Sequence, residues 1–368
     1  MSELEILAIA AQFLMEVEMR ESLLLDGVDC DDDEYKFYKS FTRLSPQNFL
    51  FLMTYFLREA PIRGNRERTF SFIEAFFITV ARIVSPARLY ELSLCLAPMF
   101  GRTDESLLSS VISNFHARFT KGKRERLLHI FLHFLERRMD DYIDAFHRKG
   151  SVFVATNSIG AVVGLVDGTL LRICRPSMDG QYGTTQRYFY SGYKHDHAVH
   201  FMGYLFPDGL FFLLDVNEGA MNDSGAVNRS EVPRLLMEIQ RRLWNKKFIF
   251  YADVGVLPSD PAFKEFYRIP LYATAHPDDG RRRRLNRTMS SIRVANEWAF
   301  GWMYEFFRSF RDKTRCMIGR NLIADYVFAN LYLNFKTCLE GRNATSDYFD
   351  LKPPDITDFM SVLLYDNV

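Results

Sequence analysis

Three acidic residues stand where chemistry would want them. Asp167 interrupts the apolar run "VVGLVDGT", Asp253 ends "FIFYAD", and Glu297 lies in "RVANEWAFGWMYEFF" (293–307), a stretch with helical spacing, on the side opposite its apolar stripe. An aspartate inside a buried strand is costly unless it is paired, hydrogen-bonded or bound to a metal. Hard divalent cations such as magnesium take oxygen ligands, and clustered carboxylates need cations to offset their mutual repulsion. Two such cations about 3.5–4 Å apart activate an attacking oxygen and stabilise the leaving one in an in-line phosphodiester displacement. Plainer readings stay open. Glu297 fits an i,i+4 ion pair with Arg293, and Asp253 fits a turn or helix cap.

The elements that must position these acids lie in the second half of the chain. "GAVVGLVDGTLLRI" (160–173) reads as a central strand buried on both faces. "HAVHFMGYLFPDGLFFLLDV" (197–216) reads as two strands around a Pro207-Asp208-Gly209 turn. A helix over 230–244, a strand over 246–256, a weaker strand over 269–277 and the Glu297 helix follow. This order predicts an α/β fold, a mixed sheet flanked by helices, with Asp253 at the carboxyl end of its strand, where open sheets often meet ligands.

The first half differs in texture. Residues 1–25 and 46–148 show helical spacing throughout, and residues 342–368 read as a loop-rich tail. Within 86–119 one helix ends near Phe100, "GRTD" turns the chain, and Thr103 or Asp104 caps a second. That pattern is compatible with a helix-turn-helix and with an ordinary helical hairpin. The expected division is a helical domain over 1–149, a sheet domain over 150–341 and the tail.

Composition bounds the function classes. With 46 Lys and Arg against 46 Asp and Glu, whole-molecule charge gives no argument for a polyanionic partner. The signs are segregated, however: "DGVDCDDDEY" (26–35) offsets basic stretches at 63–68, 121–126 and 281–287, so a basic surface toward phosphates is still available. The five cysteines are scattered singly, which argues against a zinc ribbon or a disulfide framework. The run "ILAIAAQFLMEVEM" lacks a basic leader and carries Glu16 and Glu18, so an amphipathic helix is expected there rather than a signal peptide, and no membrane partner is expected.

A succession of blocks is similar to one family. "VDGT" (166–169), "YFYSGYKHDHAVHFMGYLFPDGLFFLL" (188–214), "EGAMNDSGA" (218–226), "YADVGV" (251–256), "LNRTMSSIRVANEWAFGWM" (285–303) and "YVFANLYLNFKTCLEG" (326–341) together resemble the nuclease domain of PIF/Harbinger-type transposases, members of the DDE superfamily. The resemblance implies a ribonuclease-H-like fold, with Asp167, Asp253 and Glu297 as catalytic carboxylates holding two Mg2+ or Mn2+ ions. It implies double-stranded DNA as substrate, a Myb-like partner protein, a nuclear location with a cytoplasmic one open, and a homo-oligomer as a further option. Asp223 corresponds to a recurrent acid of the family, and capping of the following helix is the role expected for it. Three positions depart from the family pattern: Val254-Gly255-Val256 lacks the usual tyrosine, Asn296 replaces an apolar residue, and Asn222 replaces a histidine.

Other residues are candidates for nucleic-acid contact. Lys194 and His195 fall in a polar cluster with His197 and His200, which reads either as phosphate-facing hairpin residues or, if His195 and His197 share a strand face, as a metal site. Arg281, Arg282, Arg283 and Arg284 suit a phosphate-gripping loop before the Glu297 helix, and Arg293 lies on that helix. The leading expectation is a DDE-type, metal-dependent DNA endonuclease or transposase. The rival is a domesticated, catalytically silent DNA-binding or chromatin-associated module, and a scaffold using only the helical half is a third reading.

Overall fold

The computed structural model describes residues 32–65, 68–101, 103–120, 123–151, 160–176, 183–243, 246–270, 280–317 and 321–364. The helix expected over 1–25 lies outside them, as does Cys30. Two compact units are present. The first holds the described part of Met1–Lys121 together with Phe306–Ser309. Its helices α1 (Asp32–Thr42), α2 (Pro46–Thr54), α3 (Phe72–Val84), α4 (Leu89–Phe100) and α5 (Glu105–Phe115) close around phenylalanines. Phe56 stacks on Phe72 at 5.4 Å, and Phe76 meets Phe119 edge-on at 6.1 Å.

Local chemistry sets where these helices begin. Ser45 caps α2 by accepting from the Asn48 amide, Ser71 and Glu74 form a reciprocal capping box on α3, and Asp104 accepts from the Leu107 amide at 2.8 Å. Gly101, with φ +68° and ψ −165°, takes a positive-φ conformation that favours glycine and ends α4. An all-helical unit is expected from the sequence, but β1 (Ile62–Arg63) and β2 (Thr69–Phe70) pair antiparallel within it. Ile62 and Phe70 both bury their side chains, and the Gly64 amide closes the turn on the Arg68 carbonyl at 2.7 Å.

The second unit comprises the described residues of Gly122–Glu305 and Phe310–Val368. It takes in α6 (Lys123–Arg137) and α7 (Met139–Arg148), so the division lies at 121–122 rather than 150. The reason is in their apolar faces. Phe131 stacks on Phe206 at 5.1 Å, and Tyr142 stacks on the same ring at 4.6 Å. Tyr142 also donates its hydroxyl to the buried Asp208 carboxylate at 2.7 Å, and the Arg138 guanidinium pairs with that carboxylate.

The sheet consists of β3 (Ala161–Arg172), β4 (Tyr190–Ser191), β5 (Asp196–Leu205), β6 (Phe211–Glu218), β7 (Phe248–Ala252) and β8 (Tyr267–Arg268). Strands run in the order β6-β5-β3-β7-β8, with β4 pairing the start of β5. β5 runs antiparallel to both β3 and β6, whereas β7 is parallel to both β3 and β8. The result is a mixed α/β sheet. The strand expected over 269–277 is instead the short β8, and residues 271–279 lie outside the described set. Helices α8 (Asp223–Arg229) and α9 (Val232–Arg242) carry the chain from β6 to β7, and α10 (Pro261–Lys264) leads into β8.

Four further long or terminal helices follow: α11 (Gly280–Phe306) and α12 (Leu322–Glu340), then the α13 (Ala344–Phe349) and α14 (Ile356–Leu364) pair. An exposed edge on β6 would leave backbone groups unpaired. Instead Asn330 and Asn334, one turn apart on α12, accept from the Leu213 and Phe211 amides and both donate to the Phe211 carbonyl. The tail is helical where loops were expected, because Phe349 packs on Phe146 at 4.8 Å and Phe359 stacks on Phe134 at 6.0 Å. Cys95, Cys174, Cys316 and Cys338 are free thiols. No helix among the described residues is long and apolar enough to cross a membrane.

Burial pushes the Asp208 carboxyl up while Arg138 pulls it down. Replacing Arg138 by Met leaves a buried, uncompensated carboxylate, with an expected loss of about 3–5 kcal/mol at pH 7. Protonation relieves that cost, so the deficit should narrow as pH falls toward about 4. Urea unfolding at both pH values measures it.

Candidate active site

The register of two parallel strands builds the site. Val166 on β3 lies opposite Ala252 on β7, so Asp167 and Asp253, each one residue later, emerge side by side at the same end of the sheet. Both expected aspartates are therefore brought together. Asp167 accepts from the Gly168 amide at 2.9 Å. Burial is the largest influence on it and pushes its pKa up to about 6, Arg293 pulls it down, and Asp223 and Asp253 push it further up.

Asp253 occupies the cap position of the short turn Val254–Val256, yet its side chain makes no cap bond. Half-exposed, it accepts from the Arg293 guanidinium at 3.2 Å. Arg293 projects from α11, whose buried stripe includes Met289, Ile292, Ala295, Asn296, Ala299 and Met303. The i,i+4 pair of Arg293 with Glu297 is not formed, and the guanidinium goes to Asp253 instead. Glu297 is exposed, and among the described residues it makes no hydrogen bond or ion pair. Asn296, with 1% exposure, buries both polar atoms of its amide without a hydrogen-bond partner, an arrangement that costs stability where an apolar side chain would not.

Asp223 is not the cap it was expected to be. Asn222 caps α8 by accepting from the Gly225 amide at 2.8 Å, which leaves the Asp223 carboxylate to meet His200 Nε2 at 2.7 Å. Glycines make the room. A Cβ at Gly168 would collide with Asp223 and His200, and one at Gly255 would come within 3.3 Å of Asp223 Oδ2. Successive strand residues alternate faces, so Asp223, lying against Gly168, approaches β3 from the side opposite Asp167. The Asp223 and His200 pair is what sequence reasoning missed. Its signal was the glycine one residue after Asp167 and two after Asp253, in "DGT" and "DVG".

The histidines go to separate partners. His200 serves Asp223, and His197 packs edge-on against Tyr190 at 5.4 Å, where burial lowers its pKa. His195 sits in the turn before β5 with φ +51°, not on the strand face, so a shared His195 and His197 metal face is not formed. Lys194 places its ammonium 4.8 Å from the Tyr193 ring centroid. Arg281–Arg284 form the first turns of α11 and not a loop, Arg283 and Arg284 being exposed; the side chains of Arg281 and Arg282 lie outside the described set.

A cleft of about 800 Å3 opens beside Asp223. Alternate residues of β3 (Gly168, Leu170 and Arg172) form one wall, the 219–223 loop and the 191–194 turn form others, and Tyr304 and Arg311 close it.

The acids suit a hard divalent cation in donor type, and the uncompensated burial of Asp167 is a cost that a cation would lift. Among the described residues, no three His, Cys, Asp or Glu side chains converge as a closed metal-binding group. Arg293 supplies the positive charge instead.

If Asp167 holds a proton more tightly in the folded state, it contributes stability below about pH 4 that is lost as pH rises through about 6. Asp167→Asn should then be more stable than the wild type at pH 7 by roughly 1–3 kcal/mol, with no difference at pH 4. Magnesium should raise the melting temperature of the wild type and leave that of Asp167→Asn unmoved.

Comparison with known proteins agrees with this architecture. Residues 166–333, which contain both aspartates, Asp223, Arg293 and Glu297, match the family model described as DDE superfamily endonuclease. No curated protein and no solved structure matches the chain.

Proposed function

We propose, starting from the likeness of residues 166–333 to DDE superfamily endonucleases, that this protein cuts DNA phosphodiester bonds with divalent-metal assistance at Asp167 and Asp253. The observation that carries the reading is the parallel β3 and β7 register, which sets these two carboxylates side by side. They would hold the cation, with Glu297 of α11 as the third acid of the set. Such cations supply Lewis acidity at phosphoryl oxygens. The chain's own residues orient and neutralise: Arg293, already on Asp253, offers a guanidinium to a phosphate, while Lys194 and Arg281–Arg284 add cationic contacts along the DNA and His195 a hydrogen-bonding one. Asp223 and His200 position the β3 end through Gly168. The sequence blocks further support a Harbinger-type affiliation, strand transfer by the freed 3′ hydroxyl, a nuclear location, a Myb-like partner and self-association as parts of the same proposal.

A second reading has its own support. The Arg293 and Asp253 bond and the exposure of Glu297 suit a catalytically silent, transposase-derived DNA-binding module. Nicking of supercoiled plasmid in Mg2+ or Mn2+ separates the two. Under the nuclease reading the wild type nicks, and Asp167→Asn and Glu297→Gln each fall by roughly 100-fold or more. If the wild type binds DNA in a salt-sensitive way and does not nick, the silent module is the function.

A further inference from the structure

The cleft beside Asp223 is built unlike the acid-bearing strand ends. Along β3, Gly168 faces the Asp223 carboxylate, and Arg172, four residues on, marks the cationic end of the same wall. At strand rise the two are about 13 Å apart. Lys194 and Arg311 line the cleft with Arg172, and Arg311 is steadied by bonds to the Tyr304 carbonyl and to Glu305. The negative charge in the cleft, Asp223, is engaged by His200.

Beside these cations stands Tyr193, 84% exposed, the most exposed large hydrophobic side chain among the described residues. It follows Gly192, whose Cβ position has open space around it, and its ring already carries the Lys194 ammonium. An aromatic ring left in water at the mouth of a cationic cleft has the composition of a base-stacking platform. Bases offer a free π-face only where they are unpaired. A cleft of this volume suits a ligand of small-molecule size, about one or two nucleotides, and not a duplex.

We propose that this cleft binds a single-stranded DNA segment adjoining the cut site, with Tyr193 stacking on an unpaired base and Arg172, Lys194 and Arg311 holding the flanking phosphates. The inference rests on the nuclease reading and names where its substrate departs from the duplex. It adds a site distinct from the acids, because the cations lie toward the far end of the β3 wall and so reach phosphates beside the scissile one.

The test uses the full chain, in EDTA, with two fluorescent probes: a blunt duplex, and the same duplex bearing a 3′ single-stranded extension that contains 2-aminopurine. The wild type should bind the extended probe at least about tenfold more tightly and change the 2-aminopurine emission through stacking. Tyr193→Ala should lower affinity for the extended probe by about 5- to 150-fold and leave the blunt duplex unchanged, while Tyr193→Phe should retain the preference. Arg172→Ala should reduce the salt slope for the extended probe by about one. Both side chains changed are exposed, and thermal unfolding checks that the variants fold. Equal binding of both probes by the wild type, or no loss with Tyr193→Ala, overturns the proposal. If the wild type also nicks plasmid in magnesium, the cleft proposal alone falls; if it neither binds nor nicks, the nuclease reading falls with it.

Discussion

Two carboxylates side by side on adjacent parallel strands, Asp167 within β3 and Asp253 just past the end of β7, repel one another, and much of the second unit is arranged around that repulsion. The pairing of Val166 with Ala252 sets Asp167 beside Asp253. Burial then raises the cost of charging Asp167, so positive charge must be near. In this structure it comes from Arg293, which fixes the face that α11 turns toward the sheet and leaves Glu297, one turn on, facing solvent. Glycine at 168 and 255 follows from the same crowding, because Asp223 occupies the space that a Cβ would need.

Holding two acids in register requires a sheet that does not shear or fray. The buried Asp208 carboxylate ties the β5–β6 turn to α6 and α7 through Arg138 and Tyr142. On the β6 edge, two asparagines of α12 stand in for a missing strand and satisfy the backbone of Phe211 and Leu213. Each device pairs polar groups inside an apolar setting, where unpaired groups would cost most. Asn296 contrasts with them, a buried amide with both polar atoms unpartnered on the helix that carries Arg293 and Glu297.

Where sequence reasoning succeeded, the signal was local. The apolar run around Asp167, the Pro207-Asp208-Gly209 turn and the amphipathic α9 and α11 each carry their period within a few residues. Where it failed, competing partners were far away in sequence. Asp223 looked like a cap because it stands at a helix start, but Asn222 took that role and His200, 23 residues earlier, claimed the carboxylate. Arg293 and Glu297 have ideal helical spacing for an ion pair, and Asp253, brought in by strand pairing, won the guanidinium. The tail read as loop because its short helices draw their stability from Phe134 and Phe146, not from their own propensity.

The sequence alone determined which residue types lie on which element: an aspartate within a buried strand, another at a strand end, an arginine and a glutamate one turn apart on a helix. Periodicity and capping decide these matters within a dozen residues. Only the tertiary structure decided which charges meet. Partner choice depends on strand register, on the face a helix buries and on the space that two glycines leave, and all three are settled by packing between segments up to a hundred residues apart.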